Sequence, residues 1–242
     1  FQRTIRTRGP DLDSATEAEL VAISARFNNV LRRFGEGWAL FSEAERMPAE
    51  GYPAGRFGDP ASWLVDEERK AAFAAEGAHF ESRTHLTFLY LPPADTMQRA
   101  ERFFYERSEG RSIAADIRSE LNAFMTETDR AIEMMASLLP EVHVLGDSET
   151  LTYLHGTVSE RRHRIARPEQ PAYLDAILCD TPLTGGLEPQ LGSQHLRVLT
   201  VSGFPSTTTP GVLDALNDLG FAYRWMTRWI APLPELRYAD SA

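Results

Sequence analysis

The chain has 242 residues, of which 43% are hydrophobic, and its 35 acidic and 25 basic side chains give a formal net charge of −10. This length allows one or two domains with a full hydrophobic core. The acidic balance argues against a general nucleic-acid clamp, because such proteins bind mainly by neutralising phosphates. Since no apolar run approaches the roughly 18 residues that span a bilayer, we expect a soluble module.

The first residues predict that the chain begins within a β-strand. The chain opens on Phe1 and continues directly into an alternating polar and apolar pattern, with no targeting leader before it. We therefore treat Phe1 as a boundary and expect further sequence on at least one side.

The first ninety residues alternate between strand and helix signals. Ser14 and Glu17 have the spacing of a capping box, and the apolar residues behind them recur at helical intervals. The predicted elements that follow are a strand at 38–42, a loop rich in glycine and proline at 48–60, a helix from 60 to 77 and a strand at 79–91. This β-α-β-α-β order is typical of a compact α+β layer.

Residues 94–115 break this pattern with interleaved charges, which are typical of a connecting segment. The segment also contains three adjacent aromatic residues, Phe103, Phe104 and Tyr105, which could pack it onto the body of the protein or onto another chain. After it, the pattern predicts a long amphipathic helix at 117–139, a strand at 142–145, a helix at 147–153, a strand at 196–201, a helix at 210–220 and a strand at 221–230.

These elements predict an α+β fold with mixed or antiparallel sheets and helices on one face. Two ferredoxin-like βαβ subdomains are one form of it, at residues 1–93 and 116–242, joined by the segment 94–115, and the two could pack as one domain. In the last predicted strand, alternation places Arg224 and Arg228 on one side together with Met226 and Ile230, unless a bulge intervenes.

The sequence lacks the common catalytic and ligand-binding motifs. Lys70, the one lysine, has no glycine-rich stretch before it, so no nucleotide-binding P-loop exists here. No histidines have the i, i+4 spacing of a helical zinc site, and no Gly-x-Ser-x-Gly motif occurs. Cys179 has apolar neighbours, which predict a small buried side chain. We therefore predict no catalytic, cofactor-binding or metal-binding residues in this chain.

A cluster of arginines is the strongest candidate binding feature. Arg161, Arg162, Arg164 and Arg167 concentrate positive charge on an otherwise acidic chain. They could meet a phosphate, an acidic lipid surface or carboxylates of a partner, or they could pair with the surplus acids of the chain itself. We predict that this cluster, the aromatic residues Phe103–Tyr105, Arg224 and Arg228 contribute to partner binding.

Several stretches, in the same order along the chain, resemble the N-terminal region of TrbE-type conjugal transfer proteins, in the CagE/TrbE/VirB family of type IV secretion ATPases. Each stretch alone is short, and the ordered set carries the resemblance. The stretches are 38–41 (WALF), 52–57 (YPAGRF), 66–69 (DEER), 87–95 (TFLYLPPAD), 153–159 (YLHGTVS), 173–176 (YLDA) and 195–205 (HLRVLTVSGFP), continuing to Trp225.

The resemblance implies a non-catalytic assembly and docking module at the cytoplasmic face of the bacterial inner membrane. Its implied partners are a small inner-membrane component, further copies of the protein and its own ATPase motor. That motor, with its ATP and magnesium, would lie beyond Ala242, so no catalytic residue carries over to this chain. The alternative is a module that contacts single-stranded DNA through the arginine cluster and the aromatic residues, although the acidic charge makes nucleic acid the less favoured partner.

Overall fold

The computed structural model describes residues 1–9, 15–49, 51–75, 79–92, 110–196 and 220–230, with the backbone alone at 110–116 and at 230. The predicted aromatic site at 103–105, residues 210–219 of the predicted helix at 210–220 and residues 197–201 of the predicted strand at 196–201 lie outside these ranges. The described elements are β1 (Gln2–Arg8), α1 (Glu17–Leu31), β2 (Trp38–Pro48), α2 (Pro60–Ala75), β3 (Phe80–Tyr90), α3 (Gly110–Ala136), β4 (Glu141–Val144), α4 (Asp147–Val158), α5 (Leu174–Leu178), β5 (Leu183–Thr184), β6 (Gln190–Leu191), β7 (Gln194–His195) and β8 (Tyr223–Ile230).

The main sheet has five antiparallel strands in the order β4-β1-β3-β2-β8. Because β1 and β2 both run antiparallel to β3, which lies between them, α1 forms a split βαβ crossover. Helix α3 forms a second crossover around β1, so β1-α1-β2-β3-α3-β4 has the ferredoxin-like arrangement. Helix α2 is inserted between the paired strands β2 and β3, and β8 extends the sheet beyond β2.

This architecture confirms the predicted α+β class with antiparallel sheets. The second sheet, β5-β6-β7, is made of two-residue strands. Strands this short show no alternating pattern in the sequence, so they were not predicted. The main sheet takes β1 to β3 from residues 1–93 and takes β4 and β8 from residues 116–242. The division of the chain into two subdomains stays a prediction.

Helices α1 and α3 cover the first face of the main sheet and form the hydrophobic core with it. Inward-facing residues of β1, β2 and β3 pack against both helices; the buried cluster is Ile5, Val30, Phe34, Leu40, Leu86, Phe88, Phe124, Ala131 and Met135. Arg3 of β1 ties α3 to the sheet, because its Nη1 donates to Thr128 Oγ1 at 2.9 Å and to Asp129 Oδ1 at 2.6 Å. A core built from both crossover helices fixes the strand register on this face.

The capping box of α1 lies two residues later than the Ser14–Glu17 spacing predicts. The Glu19 N–H donates to Thr16 Oγ1 at 3.3 Å, and the Thr16 N–H donates to the Glu19 carboxylate at 2.8 Å. Both pairs of residues have capping-box spacing, and the helix begins where the hydroxyl and the carboxylate satisfy each other's backbone N–H.

The second face of the main sheet is covered in part by α4, whereas the prediction placed the helices on one face. That prediction holds for α1 and α3. The second face carries buried polar residues, among them Glu43, Glu45, His85 and Thr87. Buried polar groups need hydrogen-bond partners, and α4 with the loop after it supplies several of them.

The exposure of Cys179 differs from the prediction. Cys179 is exposed, which corrects the predicted burial; its neighbour Leu178, the last residue of α5, takes the buried position instead. None of the described helices is both long enough and apolar enough to cross a membrane.

Candidate functional site: an arginine-lined cleft

An open cleft of about 1820 Å³ lies over the second face of the sheet, beside α4 and the loop 159–167 that follows it. Among the described residues, eight arginines line it: Arg6, Arg46, Arg83, Arg161, Arg162, Arg164, Arg167 and Arg224. Five carboxylates of the same part of the chain line it as well: Glu45, Glu81, Asp147, Glu149 and Glu160. This described lining is therefore positively charged on balance, although the whole chain is acidic.

An ion cluster at the floor of the cleft joins β2, β8 and α4. Arg224 Nε lies 2.7 Å from Glu43 Oε1, and Arg224 Nη2 donates to Glu45 Oε1 at 2.9 Å. Arg162 Nη2 donates to the same Glu45 oxygen at 2.7 Å. Both arginines also donate to the carbonyl oxygen of Gly156, at 2.9 Å from Arg162 and 2.6 Å from Arg224. The cluster thus connects the edge of the sheet to the last turn of α4.

Glu43 is the most deeply buried member of this cluster, with a fully buried side chain. Tyr153 of α4 donates its hydroxyl to Glu43 Oε2 at 2.7 Å. Burial, and then the bond to Glu43, raise the pKa of the Tyr153 hydroxyl well above its ordinary value, so the hydroxyl stays a donor. The Nε–Oε1 contact with Arg224 is a close ion pair that is not aligned as a hydrogen bond. Arg224 and Tyr153 therefore compensate one buried negative charge from two sides.

Because Gly156 has no side chain, the Arg162 guanidinium can occupy the space beside it. A Cβ atom at this position would lie 2.3 Å from Arg162 Nη1, whereas the nearest atom of Arg224 would be 3.8 Å away. An alanine here would push the end of the flexible Arg162 side chain off the Gly156 carbonyl.

A double-mutant cycle tests this contact. Glycine to alanine within a helix should stabilise by about 1 kcal/mol. We expect Gly156→Ala to show that gain only in an Arg162→Ala background, which gives a coupling energy of about 1 kcal/mol in urea unfolding. Equal effects of Gly156→Ala in both backgrounds would contradict the contact.

The structure brings some of the predicted binding residues together and separates others. Arg162 and Arg224 share Glu45, and Arg167 Nη1 pairs with Asp147 Oδ2 at 2.9 Å. For these three, the described pairing is with acids of the chain itself, which is one of the alternatives that the sequence leaves open for the arginine cluster. A role in partner binding stays a prediction for them.

The other predicted residues that the structure describes, Arg161, Arg164 and Arg228, are not part of this ion cluster. Arg161 and Arg164 are exposed on the cleft and have no ion pair within the described part of the chain. Arg228 shares a face of β8 with Arg224, and the regular register with β2 shows no bulge between them. The predicted sidedness of this strand is confirmed.

Three important residues of the site were missed in the sequence: Glu43, Tyr153 and His85. Glu43 and Glu45 are two positions apart in strand β2, so a period-two reading could have placed both carboxylates on one face. His85 lies opposite Glu43 in the register, and its ring centre is 4.4 Å from that of Tyr153. Burial lowers the pKa of His85 to about 4, so the imidazole is neutral in the folded protein near neutral pH.

A second group of side chains, His155, His163 and Asp180, meets beside the cleft. One ligand-type atom of each lies within 4.8 Å of the others. His155 Nε2 is 3.2 Å from Asp180 Oδ2, and the two imidazole rings meet edge to face at 4.5 Å. Ser159 Oγ and Thr181 Oγ1 both donate to Asp180 Oδ1, at 2.5 and 2.8 Å. These hydrogen bonds, first that of Ser159, lower the pKa of Asp180 below its ordinary value.

Comparison with known proteins relates the first part of this α+β module to a secretion family. Residues 1–98 match the family model of the type IV secretion system ATPase VirB4/TrbE, N-terminal domain. This portion of the chain, which holds β1 to β3 with α1 and α2, is therefore similar to that N-terminal domain. The match confirms the family resemblance in the sequence.

Relatives in the family extend the similarity beyond residue 98. The chain is 30% identical over 239 residues to the conjugal transfer protein TrbE of Rhizobium radiobacter, which covers 92% of this chain and 29% of that protein. It is 42% identical over 87 residues to the first of two probable conjugal transfer protein TrbE segments of Sinorhizobium fredii, covering 35% of this chain and 58% of the relative. The chain thus spans less than a third of the length of the Rhizobium radiobacter relative.

Proposed function

We propose that this chain is the docking module of a type IV secretion ATPase and that α2 is the element that docks. The observation that carries the proposal is the exposure of large apolar side chains at the start of α2, where Trp63, Leu64 and Val65 are 54%, 55% and 48% exposed. None of the residues of α2 is buried. A helix that exposes apolar residues in this way is typical of an interaction site.

Helix α2 is capped at its N-terminus and contacts neighbouring segments through Phe73. The large apolar side chains of its first turns are exposed. Asp59 caps it by accepting from the N–H groups of Ala61 and Ser62, at 3.0 and 2.9 Å. Phe73 stacks on His79 and meets the ring of Tyr52 edge to face. Within the described residues, these ring contacts join α2 to the segments on either side of it. The helix is thus capped and tied to its flanking segments, while its apolar side chains remain available to a partner.

The partner that fits this arm best is a small inner-membrane component of the same transfer system, through its cytoplasmic segment. The apolar turns of α2 continue into the acidic run Asp66, Glu67 and Glu68. The basic pair at 69–70 follows it, and the chain as a whole carries a net charge of −10. Segments that flank membrane spans on the cytoplasmic side are rich in lysine and arginine. This acidic run therefore complements such a segment, whereas it would be repelled by the anionic lipid surface itself.

The test is co-elution of this chain with the co-expressed short inner-membrane protein in size-exclusion chromatography. We expect the double substitution Trp63→Ser and Leu64→Ser to weaken binding by at least about tenfold, since large apolar anchors dominate interface energies. Val21→Ser is the matched control, because Val21 on α1 is equally exposed, at 53%. Circular dichroism and the thermal midpoint should be unchanged in both variants, because none of these side chains is buried.

The result that would overturn the docking role is an absence of both co-elution and self-association of the wild type. Co-elution that the Trp63→Ser, Leu64→Ser variant retains in full would move the docking surface away from α2. Self-association that the same variant abolishes would make a second copy of the chain the occupant of α2.

The similarity to a secretion ATPase family supports a proposal for the place of the module in the intact protein. The matched family is that of a type IV secretion ATPase, and the chain covers only a fraction of the Rhizobium radiobacter relative. We propose that ATP hydrolysis belongs to a motor domain outside residues 1–242, and that this module holds the motor at the inner membrane and contributes to its oligomerisation. A phosphate-release assay on this chain should therefore give a flat trace.

A second function, contact with single-stranded DNA, is favoured by the exposed Arg161 and Arg164 on the cleft. It predicts binding that weakens steeply with salt. Fluorescence anisotropy with a labelled oligonucleotide at about 50 mM salt tests it, because the electrostatic term is strong there. An unchanged anisotropy would remove this alternative, and binding that Arg161→Ala with Arg164→Ala abolishes would support it.

A further inference from the structure

We propose that His155, His163 and Asp180 form a binding site for a divalent transition-metal ion of the zinc type. Two imidazoles and one carboxylate are a donor set that Zn²⁺ takes, with water or another ligand in a fourth position. The three residues come from the last turn of α4, the loop after it, and the segment after α5. The inference is independent of the docking role of α2.

The distance between His155 and Asp180 fits two ligands of one metal ion. With Zn–ligand bonds of about 2.0–2.1 Å, two corners of a tetrahedron lie about 3.3 Å apart. His155 Nε2 and Asp180 Oδ2 are 3.2 Å apart. His155 is 1% exposed, and its buried Nε2 has no hydrogen-bond partner among the described residues. A buried ring nitrogen left in this state is costly unless something binds it.

The Asp180 carboxylate is held in an orientation that suits metal binding. Asp180 Oδ1 is occupied by the hydroxyls of Ser159 and Thr181, and Oδ2 remains free to face His155. Hydrogen bonds of this kind hold metal-binding carboxylates in place in known sites. Ser159 is itself buried, and its Oγ also accepts from the N–H of Arg161 at 3.0 Å.

The third ligand can close on the ion by a movement of its side chain alone. His163 is exposed and its ring already lies 4.5 Å from that of His155. Because both histidines line the cleft, the open coordination position would face it. An ion bound here would join α4, the loop that carries the arginine cluster and the segment after α5. It would therefore fix the position of Arg161 and Arg164 relative to the sheet.

The experiment is a titration of the metal-free chain with ZnCl₂, followed by calorimetry and by competition with a chromophoric chelator. We expect one Zn²⁺ per chain, a higher thermal midpoint with the ion, and an affinity at least about tenfold lower in His163→Ala, since each ligand contributes strongly to metal affinity. His163 is exposed, so this variant should fold like the wild type without metal. His195→Ala is the matched control, because His195 is an exposed histidine that is not a member of the cluster.

A second substitution and a second metal keep the test independent of folding. Asp180→Asn retains the shape of the side chain and should also weaken binding. Co²⁺ should give the visible absorption of a low-coordinate site in the wild type and lose it in His163→Ala. The proposal is overturned if the wild type binds no Zn²⁺, which would leave a plain His155–Asp180 contact. It is also overturned if His163→Ala and Asp180→Asn bind as tightly as the wild type.

Discussion

Replacing Arg224 with methionine is expected to lower the free energy of unfolding by about 3–5 kcal/mol, as removal of one partner of a buried ion pair typically does. The reason is that Glu43 is fully buried and its Oε1 has Arg224 Nε as its close cation, at 2.7 Å. Tyr153 would still donate to the other carboxylate oxygen. One hydroxyl does not balance a full charge in a site closed to water. Urea unfolding followed by circular dichroism at neutral pH measures the loss.

Arg228→Met is the matched control, because Arg228 lies on the same face of β8, is exposed, and faces Phe41 rather than a carboxylate. It should leave stability nearly unchanged. The double variant Glu43→Gln with Arg224→Met should recover part of the loss, since it removes the stranded charge as well. If Arg224→Met were no more destabilising than Arg228→Met, the ion cluster would not hold β8 to the sheet.

Lowering the pH from 7 to 4.5 is expected to cost about 2 kcal/mol of stability through His85 alone. The folded-state pKa of His85 is lowered to about 4 from an ordinary value of 6.5, chiefly by burial. Between these values the unfolded chain binds a proton at this position and the folded chain does not. Stability therefore rises with pH from about 4 to about 6.5 and is fully present above that range. Among the neighbouring charges, Glu45 raises this pKa and Arg6 lowers it.

A comparison of two variants isolates this contribution from other titrating groups. His85→Gln cannot titrate, so its stability should change less than that of the wild type between pH 7 and pH 4.5. His143→Gln replaces an exposed histidine on β4 and should keep most of the wild-type pH dependence. An unchanged slope in His85→Gln would mean that the folded protein accepts the proton at His85 without cost.

The strands and helices of the first face were largely predictable from the sequence. Alternation marks β3, and the helical period marks α1 and α3, because one side of each meets the core. The predicted start of β2 is correct, but the strand continues to Pro48 through Glu43 and Glu45, where buried carboxylates hide the apolar pattern. Helix α4 also runs beyond its predicted end, to Val158, since Gly156 within it reads as a terminator.

The candidate site was less predictable, because its partners are far apart in the chain. Tyr153 and Glu43 are separated by 110 positions, and Arg224 and Glu45 by 179. Neither pair has a local spacing that marks it. The arginine cluster stood out by composition, but its pairing with Glu45 and Asp147 depends on how α4 crosses the sheet. The group of His155, His163 and Asp180 was not predicted for the same reason, because these residues have no helical or strand spacing in common.

The pairing of β8 with β2 has a consequence for how the protein is made. The arginine that neutralises Glu43 and Glu45 follows Glu45 by 179 positions. At about 5–20 residues per second, a ribosome delivers it about 10–40 s after β2. During that interval the outer edge of β2 is open and Glu43 lacks its arginine, whereas Arg162 becomes available to Glu45 earlier. An open strand edge invites pairing with other chains, but a strand that carries a carboxylate without its cation is a poor template for it. We therefore expect Glu43 to disfavour such pairing until the strand that closes the sheet arrives.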